Sequence, residues 1–148
     1  AIADKFDKKI DRKTFVILGD GECYEGSVWE AANFAAHHKL TNLCAIIDRN
    51  MLITHGSTEE INALEPIKDK FVSFGWNVHE IDGHSLNDLI NFFKSIPQKK
   101  IEKPIALIAK TIKGKGVSFM ENNAAWHHGG IDEKKFIIAE KELIKRNK

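Results

Sequence analysis

The feature that most restricts this chain is a short β-branched run, Thr14-Phe15-Val16-Ile17-Leu18, that ends abruptly on Gly19-Asp20-Gly21. Val, Ile, Thr and Phe favour a pleated, half-buried backbone and glycine closes the run, so the pattern predicts a strand followed by a turn. The period of the sequence then changes. From Gly26 to about Lys39, Val28, Trp29, Ala31, Ala32, Phe34 and Ala35 recur as a helix packed on a sheet requires. Asn42 to Asp48 is apolar almost without a break, as strands buried on both faces are. Strand, helix and strand in this order predict a parallel pair joined by a right-handed crossover.

The alternation continues. Arg49 to Glu65 reads as a loop, Pro66 to Phe74 as a helix stopped by Gly75, Trp76 to Ile81 as a third strand, Leu86 to Ile96 as a helix and Pro104 to Ala109 as a fourth strand. Ile112 to Gly130 reads as a long glycine-containing loop, and Asp132 as the cap of a last amphipathic helix carrying Phe136, Ile137, Leu143 and Ile144. The expected fold class is α/β, with a mostly parallel sheet and helices on both faces. A chain of 148 residues can bury a real core as one domain. Trp29, Phe34, Phe92 and Phe93 are expected in that core.

Charge and cysteine usage narrow the partners. With 22 basic against 21 acidic side chains, nothing favours nucleic acid or an anionic membrane surface. No apolar run approaches the roughly 20 residues needed to span a bilayer as a helix. Cys23 and Cys44 form neither a CxxC pair nor a zinc array, so both read as reduced thiols and the cytoplasm is the expected compartment. The chain opens without an initiator Met, inside what reads as a helix end followed by a charged segment from Lys5 to Lys13. It is therefore expected to be part of something longer.

Ligands of parallel sheets bind beyond the carboxyl ends of the strands. Three loops fall there: Gly19 to Gly26, Arg49 to Gly56 and Ile112 to Gly130. In the first, Gly19 and Gly21 let a ligand approach the main chain, and the following helix turns its positive end toward the same place. A carboxylate there would repel an anion unless a cation lay between them, which makes Asp20 a candidate Mg²⁺ ligand. Asn50 ends the next strand, 30 residues on, where its amide oxygen can converge on the same ion. Taken singly, Gly-Asp-Gly also reads as a plain tight turn, and Asn50 as a turn residue with a locally bonded side chain. In the third loop, His127 and His128 read either as exposed loop residues or as imidazoles able to exchange protons near neutral pH. Lys113, in a basic cluster with Lys110 and Lys115, reads as part of a solvated loop or of a flap hinged at Gly114 and Gly116.

The stretch Gly19-Asp20-Gly21-Glu22-Cys23-Tyr24-Glu25-Gly26-Ser27-Val28-Trp29-Glu30-Ala31-Ala32, with Ala36-His37-His38-Lys39-Leu40 and Asp48-Arg49-Asn50, resembles the thiamine-diphosphate motif of transketolases. The form it most resembles is the one split into two polypeptides. Lys110 to Asn123 and Trp126-His127 are similar to the same family, so the likeness spans nearly the whole chain in order. The resemblance implies a three-layer thiamine-diphosphate-binding fold, here residues 1–148 of its diphosphate-side domain without that domain's N-terminal portion. It implies thiamine diphosphate and Mg²⁺ as cofactors, with the metal held by Asp20, the Asn50 side chain and the main-chain carbonyl of Leu52. Gly19, Gly21 and Glu22 would line the diphosphate, the last two through their backbone. Glu25 would join a buried hydrogen-bonded network linking subunits. One of His127 and His128 would face the substrate, His127 being favoured because it follows Trp126.

The implied reaction transfers a two-carbon ketol unit between sugar phosphates. It would require a C-terminal pyrimidine-binding transketolase subunit, in a dimer or heterotetramer. A thiamine-diphosphate enzyme acting on another ketose or ketoacid, and a non-catalytic interaction module, are the alternatives. Two departures bear on the pocket: His55-Gly56 stands where many transketolases have an acidic residue before the glycine, and Gly129-Gly130-Ile131 stands where proline is usual.

Overall fold

In β1 (Thr14–Gly19) and β2 (Leu43–Arg49) the apolar runs lie side by side in parallel, Gly19 opposite Asp48. The computed structural model describes residues 1–8, 12–96 and 102–146; residues 9–11 of the charged N-terminal segment lie outside them. Between the two strands run a 3-10 turn (Asp20–Tyr24) and α1 (Gly26–His37). Next come the short elements β3 (Leu52–Ile53), β4 (Gly56–Ser57), α2 (Thr58–Asn62) and α3 (Ile67–Ser73). They are followed by β5 (Asn77–Asp82), α4 (Leu86–Ser95) and β6 (Ile105–Lys110). The four long strands form one parallel sheet in the order β1-β2-β6-β5. All four therefore end on one edge, at Gly19, Arg49, Lys110 and Asp82.

Alternation along β2 and β6 sorts the core onto two faces. Ala45, Ile47, Ala106 and Ile108 pack with Ala32 and Ala35 of α1 and with Ile67 and Phe71 of α3. Cys44, Ile105 and Leu107 pack on the opposite side with Phe92 of α4 and Ile96. The expected α/β class with a mostly parallel sheet and helices on both faces is thus the observed one. Trp76 closes the first face, its indole N–H donating to the carbonyl of Ala32. Both thiols are free and buried, and burial pushes each up to about 11.

The second face is only partly covered. Phe15 and Ile17 of β1 remain exposed, Ile17 by 71%, with Phe93 making an edge-on ring contact to Phe15. Phe34 and Phe93 are likewise at the surface rather than in the core, because α1 and α4 turn them outward. A second difference concerns the expected loop from Arg49 to Glu65. It contains the two-residue hairpin β3-β4 and the helix α2, which Ser57 caps by accepting the N–H of Glu59. Elements this short leave no periodicity in the sequence. The last helix, α5 (Glu133–Arg146), starts as expected, with Asp132 accepting the N–H of Lys135. Among the described residues no helix is long and apolar enough to cross a membrane.

Candidate functional site

The register fixes the site before any side chain is considered. Because Gly19 pairs with Asp48, Asp20 and Asn50 emerge together from adjacent strands. They line one cleft of about 510 Å³ with Gly19, Gly21, Glu22, Tyr24, Glu25, Asp48, Leu52, Ile53, Thr54, Lys113 and His127. Every expected site residue except His128 is therefore on this cleft.

Asp20 is 1% exposed, and both bonds to its carboxylate fall on one oxygen. Oδ2 accepts the main-chain N–H of Met51 at 2.7 Å and the guanidinium Nη1 of Arg49 at 3.1 Å. Met51 reaches this position through a left-handed backbone, φ 67°, which a residue with a side chain rarely adopts. The Asn50 side-chain oxygen accepts the N–H of Leu52 at 3.1 Å, so it is also a turn residue bonded to its own loop. An amide oxygen has a second lone pair, which this bond does not use.

Gly21 answers for the close packing of the first turn. A Cβ on it would lie 2.7 Å from Cγ2 of Ile53, so the turn and the hairpin touch where only hydrogen fits. Glu22, also on the cleft, folds back to accept the N–H of Gly19 at 2.7 Å, which occupies that amide. Glu25 is exposed at the cleft rim in the isolated chain, not buried in a network.

The long loop contributes His127, at the end of a 3-10 turn (Ala124–His127), and Lys113. The positive charge of Lys113, then desolvation and the neighbouring His128 ring, hold the imidazole of His127 below its ordinary value. His128 stands edge-on to His127, 4.7 Å away between ring centres, and off the cleft. Lys110 and Lys115 turn elsewhere, to Glu80 and Glu121, so only Lys113 of the basic cluster serves the cleft. Gly114 and Gly116 have φ of 74° and 104° and close a bonded turn, in which Val117 N–H donates to Gly114 and Asn122 N–H to Lys113. Gly129 lies under Trp126, where a Cβ would come within 2.7 Å of the indole.

Sequence reasoning passed over Arg49, which is 3% exposed. Besides Asp20 it holds Thr58, Glu59 and Glu65, at 2.8, 2.6 and 3.1 Å respectively. The signal was present: in a buried strand, side chains alternate, and Arg49 shares the inward face of Ala45 and Ile47. A charge on that face needs partners. His84 accepts the N–H of Ile112 on Nε2 and so secures the root of the long loop.

Among the described residues no group of three or more His, Cys, Asp or Glu gathers as a metal cluster. Of the four acidic residues on the cleft, Glu22 is turned onto the N–H of Gly19, Asp48 accepts the Thr111 hydroxyl and Glu25 stands at the rim, which leaves the Asp20 carboxylate beside the Asn50 amide oxygen and main-chain carbonyls as the oxygen donors at the strand ends. That set fits Mg²⁺, which keeps water and phosphate oxygens in its shell, rather than zinc.

The family model described as "Transketolase, thiamine diphosphate binding domain" matches residues 2–144, which places the domain in the thiamine-diphosphate-binding class. The chain is 47% identical over 146 residues to an apulose-4-phosphate transketolase subunit of Phocaeicola vulgatus, covering 99% of this chain and 51% of that one. It is 41% identical over 131 residues to a 6-deoxy-6-sulfo-D-fructose transketolase subunit of a Clostridium species, covering 88% and 47%. Its fold superposes on the crystal structure of the Campylobacter jejuni transketolase with a TM-score of 0.79 at 30% identity, over 90% of this chain and 21% of the other. The chain belongs to the transketolase family. It spans about half the length of the two bacterial relatives named for one subunit.

Proposed function

We propose that this chain supplies the diphosphate and magnesium side of a transketolase active site, in an enzyme that moves a two-carbon ketol unit between sugar phosphates. The observation that carries the reading is the convergence of Asp20, Asn50 and Leu52 with the Gly21 turn on one cleft at the carboxyl edge of a parallel sheet. Thiamine diphosphate, when bound, supplies the stabilised carbanion that such transfer needs. The protein residues bind and orient. Asp20, the Asn50 side-chain oxygen and the Leu52 carbonyl hold Mg²⁺, and the backbone at Gly21 and Glu22 faces the diphosphate. His127, whose charged form the positive charge of Lys113 disfavours, takes up or returns a proton at a substrate hydroxyl. Glu25 sits on the rim where a neighbouring protomer would cover it.

The diphosphate end of the cofactor is the end this cleft is built for, so a pyrimidine-binding companion chain completes the site. The names of the two bacterial relatives support a companion, since each denotes one subunit of a multi-chain transketolase. Calorimetric titration with thiamine diphosphate and Mg²⁺, with and without that companion, tests the reading. Binding that needs the companion and is lost in Asp20→Ala supports it. Absence of binding in both arms, or equal binding by Asp20→Ala, overturns it.

A second reading concerns the ketose. Those relatives are named for apulose 4-phosphate and 6-deoxy-6-sulfo-D-fructose, and the family departures follow cleft residues: His55-Gly56 comes after Thr54 in the β3-β4 hairpin, and Gly129-Gly130 after His127-His128 in the long loop. Assays of the reconstituted pair with several anionic ketoses separate a pentose- or hexose-phosphate enzyme from one of these variants.

A further inference from the structure

We infer that Arg49 is the positioning residue of the metal side: it holds Asp20 by one carboxylate oxygen and reserves the other for the cation. The inference rests on the proposed Mg²⁺ role of Asp20 and goes beyond it, to how that ligand is aimed. The Arg49 and Asp20 side chains are each 2% exposed and 3.1 Å apart. Both bonds that Asp20 accepts, from Arg49 Nη1 and Met51 N–H, are on Oδ2. Oδ1 is the oxygen left over.

The guanidinium is itself fixed from the far side. Nη2 meets Glu59 at 2.6 Å and Glu65 at 3.0 Å, Nε meets Glu65 at 3.1 Å, and Nη1 also donates to the buried Thr58 hydroxyl. Thr58 closes the circuit, its N–H donating to the carbonyl of Met51 at 3.0 Å. A ring of bonds thus runs from Asp20 through Arg49 and Thr58 to Met51 and back to Asp20.

Charge decides whether such a neighbour helps or harms a cation. A lone guanidinium beside a metal carboxylate would repel the metal. Here Glu59 and Glu65 place two carboxylates on the same guanidinium, so its geometry is kept while its positive charge is offset. Lysine could not do this, because one ammonium cannot grip Asp20 and the two glutamates at once in a planar fork.

The test uses Mn²⁺ as the probe, titrated into this chain paired with its companion and saturated with thiamine diphosphate, with free Mn²⁺ read by electron paramagnetic resonance. Arg49→Met is expected to weaken Mn²⁺ binding by about 10–100-fold, the range typical of lost outer-shell partners, and Arg49→Lys by less. Glu65→Gln, at a half-exposed position, keeps an oxygen for Arg49 and is expected to weaken Mn²⁺ several-fold by removing one of the two carboxylate charges on the guanidinium, with a smaller fall in thermal midpoint than Arg49→Met. Turnover of each folded variant is expected to fall at limiting Mn²⁺ and to recover as Mn²⁺ is raised, which a general folding defect would not produce. A folded Arg49 variant that binds Mn²⁺ as tightly as the parent, or more tightly, overturns the inference. If neither Arg49 variant folds, unchanged Mn²⁺ binding by Glu65→Gln overturns it. If the parent pair binds no Mn²⁺, the functional reading falls first and this one with it.

Discussion

The two walls of the cleft are built to different standards. On one, Asp20 and Arg49 are buried, bonded to each other and tied to Met51, Thr58, Glu59 and Glu65. On the other, His127 is exposed and its nearest described influences are Lys113 and His128. The contrast matches the two tasks proposed for these walls. A hard cation demands donors fixed to a fraction of an ångström, and a buried polar network supplies that stiffness. A side chain that meets a substrate in passing has to remain accessible.

The sharpest way to break the contrast is to unpair the buried wall. Arg49→Met strands the Asp20 carboxylate in the interior and is expected to cost about 3–5 kcal/mol, read by denaturant unfolding. A smaller cost is expected at the seam between turn and hairpin. Gly21→Ala drives a Cβ against Ile53 and should lose about 1–3 kcal/mol, part of it recovered when Ile53→Ala is added. Met51→Val forces a β-branched side chain into the left-handed backbone of φ 67° and should destabilise by about 1–3 kcal/mol.

On the exposed wall, His127→Ala should leave unfolding unchanged while lowering turnover of the reconstituted pair by about 10²–10⁴-fold. Its titration sharpens the same contrast. With the folded value depressed, His127 should gain its proton only below the ordinary imidazole midpoint of about 6.5, and Lys113→Met should raise that midpoint, as followed by proton NMR. The linked stability is present above the unfolded value and is lost as pH falls through the folded one.

Sequence pattern carried the sheet further than it carried the walls. Continuous apolar runs at residues 43–47 and 105–109, within strands buried on both sides, could hardly be anything but interior parallel strands. The turn at Gly19 to Gly21 and the amide at Asn50 were visible because each ends such a strand. The stretch between Arg49 and Glu65 was not, since a two-residue hairpin and a five-residue helix are shorter than the periods by which such elements are recognised. Arg49 was legible in principle from its place on the inward face, but its partners Glu59 and Glu65 lie in that unreadable stretch. The exposure of Phe15 and Ile17 escaped for a different reason: an apolar strand says that it wants cover, and the described chain leaves this part of β1 open.

The order of strands has a consequence for how the molecule comes together. β6 sits between β2 and β5, although it is the last of the four to be made. During synthesis the ribosome therefore releases β1, β2 and the α2 segment, and with them every member of the Arg49 ring, before the centre of the sheet exists. The ring links residues 20 to 65, whereas β2 and β6 join positions about 60 apart, so the ring closes the shorter loops. The buried wall can be an early folding unit, and the exposed rim with His127 waits for β6 and the loop after it.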